Sequence, residues 1–155
     1  MEKCLACGAI VQGGQAGCQA SWDEVSARAY SNLDYASIHD LAFDAYCLQH
    51  VDGFCRSAKS YAAHLTRLCC GLEYSARPQV YAAIQQWLNG APMITKPTLL
   101  SFLGELTVMD VATVRDGEEF RKQARRWAEC VWAAYAPQQE LARAWIRAAQ
   151  AARQR

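Results

Sequence analysis

The chain has 155 residues, 52% hydrophobic and 20% charged, with five Trp and seven Tyr; this excludes a disordered or fibrous protein and suits one domain burying about 70% of its unfolded surface. The formal net charge of +1 divides into −3 over residues 1–114 and +4 over 115–155, without a block of five like charges. A modest, dispersed field of that kind argues against nucleic-acid binding and reads as a solvated helix face.

The opening Met1-Glu2-Lys3-Cys4 leads into no apolar leader, and no run of about 18 apolar residues follows. A cytoplasmic protein, neither secreted nor membrane-spanning, is therefore expected. In that reducing setting eight cysteines point to metal ligands or reactive thiols more than to disulfides.

Residues 1–19 are rich in Cys and Gly and lack helical periodicity, which predicts a zinc-knuckle segment followed by a loop. Residues 20–155 read as a helical bundle. Ser21 with Glu24 forms a capping-box pattern for a short helix to about Tyr30, and Asp34 or Ser37 can cap the next, to about His50. A third helix is predicted over Ser57–Leu72, with Tyr61, His64, Leu65, Leu68 and Leu72 on one face. Pro78 suits the first turn of a fourth, closed by Asn89-Gly90. Pro97 and the Thr107/Asp110 pair are expected to open two shorter helical pieces. From Gly117 a long amphipathic helix turns Phe120, Ala124, Trp127, Val131 and Tyr135 inward, and Pro137 separates it from a terminal helix with Leu141 and Trp145. No segment alternates strongly, so the fold class is all-α, a single-domain helical bundle with an N-terminal knuckle.

The sharpest motif is Cys4-Leu5-Ala6-Cys7-Gly8. Two thiolates two residues apart can grip one face of a tetrahedral zinc ion, and the following glycine permits the turn. Cys18 is the natural third ligand. A redox Cys-x-x-Cys site would need a preceding strand that three residues cannot supply, and two ordinary small apolar cysteines are the plainer alternative. The fourth ligand must come from elsewhere, and a histidine is expected. His39, Phe43, Tyr46 and His50 share one helical stripe, with Asp44 off it, and about 16 Å of rise separates His39 from His50, so both cannot bind one ion from a straight helix. His50 stands where the helix ends, and His64 can approach from the next helix; either completes a Cys3His set. Buried, hydrogen-bonded core roles compete for all three histidines. Cys47 and Cys69 read as core residues, while Cys55, placed in a loop, is a candidate reactive thiol. Trp127, Trp132 and Trp145 read as core.

The combination of Cys4-x2-Cys7-Gly8, Gly17-Cys18, His39-x4-Asp44-Ala45-Tyr46-x2-Gln49-His50, Ala63-His64-Leu65, Leu106-Thr107-Val108-x-Asp110-Val111 and Trp127-Ala128-x2-Val131-Trp132 resembles an uncharacterised bacterial family of domains of unknown function. The resemblance covers nearly the whole chain and implies that Cys4, Cys7, Cys18, His39, His50 and His64 belong to a site. The chain departs from the family pattern at Val51, where the family has proline.

Two functions follow. One is a zinc-binding helical protein whose structural metal supports a binding or regulatory role, with an unidentified small molecule or protein as partner. The other is a zinc- or thiol-dependent enzyme acting on a small molecule, with His39, Asp44, Tyr46 and His64 as candidate catalytic residues and an imidazole as general base.

Overall fold

A computed structural model describes residues 1–155. The chain starts with a two-residue strand, β1 (Glu2–Lys3), paired antiparallel with β2 (Ile10–Val11) in the register Glu2 to Val11 and Lys3 to Ile10. The turn between them is tied by the Cys4 N–H to the Ala9 carbonyl (2.8 Å) and the Gly8 N–H to the Cys4 carbonyl (2.9 Å). Gly8 has φ of 82°, a left-handed conformation that side chains resist. This hairpin is the one β element in an otherwise helical molecule.

The chain enters α1 (Gly14–Arg28) directly from the hairpin. Helix was expected only from Ser21, so the glycines after the hairpin serve a different purpose from a loop. Gly13 and Gly14, with φ of 85° and 58°, turn the backbone into the helix. Gly17 allows a close crossing, because a Cβ there would lie 1.9 Å from the Gln12 carbonyl oxygen. Cys18 consequently sits on the second turn of a helix. Ser21 donates its hydroxyl to the Gly17 carbonyl (2.9 Å) and caps nothing.

The next helix, α2 (Leu33–Gln49), is capped by Asn32, whose side chain accepts from the Asp34 N–H at 2.8 Å, in place of the expected Asp34 or Ser37. After the single turn α3 (Val51–Phe54), the predicted third helix appears as α4 (Ala58–Glu73) behind a Ser57–Ser60 capping box. Pro78 opens α5 (Pro78–Asn89) as expected. Pro97, however, opens no helix, and residues 91–108 cross the molecule without regular structure. Thr107 and Asp110 do start a short helix, α6 (Met109–Ala112): the Thr107 N–H donates to Asp110 Oδ2 at 2.7 Å. Asp116 caps α7 (Gly117–Ala134), and a 3-10 turn at Ala136–Gln138 leads into α8 (Gln139–Arg153).

α7 packs chiefly on α2, and α8 packs on α5 with α4 beside both. The α2–α7 contact is fastened by a fully buried polar side chain. Gln49 accepts from the Trp127 indole N–H (3.0 Å) and donates to the carbonyls of Leu103 (3.0 Å) and Leu106 (2.7 Å). The irregular 91–108 segment is thereby stitched to two helices through its own backbone acceptors. No helix is long and apolar enough to cross a membrane.

Candidate metal centre

The hairpin turn, the second turn of α1 and the end of α2 converge. They bring Cys4, Cys7, Cys18 and His50 into one group whose ligand atoms all lie within 4.8 Å of one another. Cys18 Sγ stands 3.4 Å and Cys4 Sγ 3.6 Å from His50 Nε2, and Cys7 Sγ is 3.7 Å from Cys18 Sγ. A tetrahedral ion with metal–sulfur bonds of about 2.3 Å and a metal–nitrogen bond of about 2.0 Å sets its ligands about 3.8 Å apart for two sulfurs and about 3.5 Å for sulfur and nitrogen. These three edges match that tetrahedron. Cys4, Cys18 and His50 are buried, and Cys7 is half-buried.

His50 is oriented by its own helix. Its Nδ1 lies 2.8 Å from the Tyr46 carbonyl, one turn back, which makes Nδ1 the donor and leaves the Nε2 lone pair facing the sulfurs. The Tyr46 ring stacks on the imidazole at 3.9 Å and on Trp22 at 4.9 Å, so the ring plane is held on the α1 side as well. The neighbouring Cys18 sulfhydryl, then His50 and the Ala9 N–H, favour the Cys7 thiolate and, against burial, hold that thiol well below its ordinary range. The Cys7–Cys18 contact, followed by burial, pushes Cys18 upward. Sulfurs that compete for protons this way are ligands that a cation would deprotonate together.

His64, expected among the ligands, lies outside the group. It projects from α4 and places Nδ1 2.9 Å from Asp44 Oδ1 on α2. Asp44 is buried, and its Oδ2 forms no hydrogen bond although Arg67 Nε stands 3.4 Å away. Burial raises the Asp44 carboxyl above its usual value, against the opposing pull of His64 and Arg67. His39 is also elsewhere: its Nε2 meets the Ser26 hydroxyl at 2.8 Å, and its ring lies 5.7 Å from Trp22. Tyr46 backs the group, with its hydroxyl donating to Gln19 Oε1 at 3.3 Å, and burial raises its phenol. Beside His50 opens a cavity of about 250 Å³ lined by Gln15, Gln19, Tyr46, Asp52 and Phe54.

The remaining thiols divide differently from expectation at one point. Cys47 and Cys69 are in the core, but so is Cys55, whose Sγ points at the Cys47 carbonyl 3.5 Å away and whose thiol burial pushes up to about 12. A buried thiol so far above neutrality is a poor nucleophile. Trp22 and Gln49 were not singled out from the sequence for the parts they play. The signal for Trp22 was available, since it follows Cys18 by one helical turn.

The model of a family of unknown function matches residues 2–136. The chain belongs to the DUF5946 family. Neither the curated proteins nor the solved structures provide a match. For this DUF5946 protein the Cys/Gly-rich N-terminus is thus a region able to ligate a metal within a largely helical single domain.

Proposed function

We propose that this DUF5946 chain is a zinc protein in which the ion, held by Cys4, Cys7, Cys18 and His50, is structural and supports a binding or regulatory role. The observation that supports the reading is the convergence of four potential ligand atoms, three sulfurs and one imidazole nitrogen within 4.8 Å of one another. Soft thiolates with one imidazole suit zinc, and four protein ligands leave no position for substrate or water. The ion would supply the cross-link; the residues supply its placement, with Tyr46 fixing the His50 tautomer and α1 delivering Cys18.

Zinc analysis of the purified protein and three single variants tests this. About one equivalent is expected in the parent, in His39→Ala and in His64→Ala, while His50→Ala loses the metal and melts at a lower temperature. Full zinc in His50→Ala overturns the ligand assignment. The enzyme reading has one observation in its favour, the Asp44–His64 pair with a buried carboxylate orienting an imidazole. Under that reading His64→Ala abolishes a turnover while zinc and melting temperature stay as in the parent.

A further inference from the structure

We propose that the groove between α5 and α8 binds a small organic phosphate, a phosphomonoester joined to a flat apolar body. A cavity of about 490 Å³ lies at the start of α5 and is lined by Arg77, Gln79, Gln150 and Arg153 over a floor of Val80 and Ala83. A second cavity of about 290 Å³ continues it, shares Ala83 and Arg153, and ends at Trp87. One end of the groove is cationic and rich in amides; the other is aromatic.

The charges at the cationic end are uncommitted. Most arginines of the chain are paired, Arg28 and Arg115 with Glu24, Arg67 with Asp40 and Asp44, Arg121 with Asp34, Arg125 with Glu129, Arg143 with Glu73, and Arg147 with Glu140. Arg77 and Arg153 have no carboxylate partner, and no acidic residue lines either cavity. Each guanidinium is nonetheless positioned by a backbone carbonyl: Arg77 Nε donates to Tyr74 (3.2 Å), and Arg153 Nη1 donates to Gln79 (3.0 Å). Both line a groove whose other polar side chains are carboxamides, which can donate to phosphate oxygens without adding negative charge. Trp87 offers the apolar body a flat surface. This site shares no residue with the metal centre.

Calorimetric titration of the metal-bound protein with phenyl phosphate, inorganic phosphate and phenol tests the assignment. Saturable one-to-one binding of phenyl phosphate is expected, on the order of tenfold tighter than inorganic phosphate, with phenol not binding. Arg77→Gln and Arg153→Gln should each weaken phenyl phosphate by on the order of tenfold. Arg126→Gln, an arginine outside the groove and also without a carboxylate partner, should leave it unchanged. Trp87→Leu should remove the preference for phenyl phosphate over inorganic phosphate while keeping phosphate binding. Absence of saturation by phenyl phosphate at concentrations on the order of 10 mM overturns the proposal. So does a loss in Arg126→Gln equal to that in the groove variants, or a preference that survives Trp87→Leu.

Discussion

Trp127 is the side chain on which the α2–α7 contact turns. Its ring is fully buried, and its indole N–H is spent on Gln49, itself fully buried with both amide functions bonded. Trp127→Ala should therefore cost about 3 to 5 kcal/mol in denaturant unfolding, because it opens a large cavity and strips the Gln49 carbonyl of its donor. A loss below about 1 kcal/mol would mean that the ring is not a core element. The inward face of Trp127 was legible from its spacing with Phe120, Ala124 and Val131. The role of Gln49 was not, since a polar residue at a helix end reads equally as solvent-facing, and only the 91–108 carbonyls give it partners. The histidines divide in the same way. His50 was recognisable as the one at a chain turn, but the choice between it and His64 depended on whether Asp44, off the stripe, would claim the His64 ring.

At the level of elements, α4, α5, α7 and α8 were readable because the Pro78 start, the Asn89-Gly90 stop, the Pro137 break and amphipathic periodicity agree with one another. The start of α1 was hidden by its glycines. Propensity counts Gly14 and Gly17 against a helix, yet the crossing over Gln12 requires the absence of a side chain at residue 17. Pro97 misled in the opposite sense, since a proline that can begin a helix can equally sit in an extended stretch. The α4–α8 contact carries a pH dependence of its own. Arg143 engages both carboxylate oxygens of Glu73, at 2.7 and 3.0 Å, while the Trp132 indole donates to the same carboxylate at 2.8 Å. The Arg143 hydrogen bond, ahead of the smaller Trp132 contribution, holds Glu73 below its usual value. A folded value below the unfolded one gives stability that is present above the unfolded value of about 4.3 and is lost as pH falls through the folded one. Glu73→Gln should consequently flatten the acid limb of a melting-temperature profile below about pH 4.5 relative to the parent, and an identical limb in both proteins would contradict this.

Across the whole molecule, the helical class and the knuckle were legible in the sequence, and so was the division of charge. The meeting of hairpin, α1 and α2 was not, because it joins residue 4 to residue 50 and no local pattern encodes that closure. The groove between α5 and α8 was equally invisible, as Arg77 and Arg153 look like any two surface arginines until the helices pair. The placement of the metal ligands also bears on the order in which the protein is made. All four ligands lie in the first 50 residues, whereas α7, which covers α2, begins at Gly117. In a chain synthesised from its N-terminus, an ion held by these four residues would find its complete ligand set while the helix that will bury α2 has yet to emerge. Metal capture would then precede core formation, and the α1–α2 pair would arrive already clasped for the later helices to dock on. A fragment of residues 1–56 should accordingly take up one zinc ion and gain helical circular dichroism on doing so. A fragment that binds zinc only after residues 57–155 are added in trans would reverse that order, making the helical core the template and the ion its final clasp.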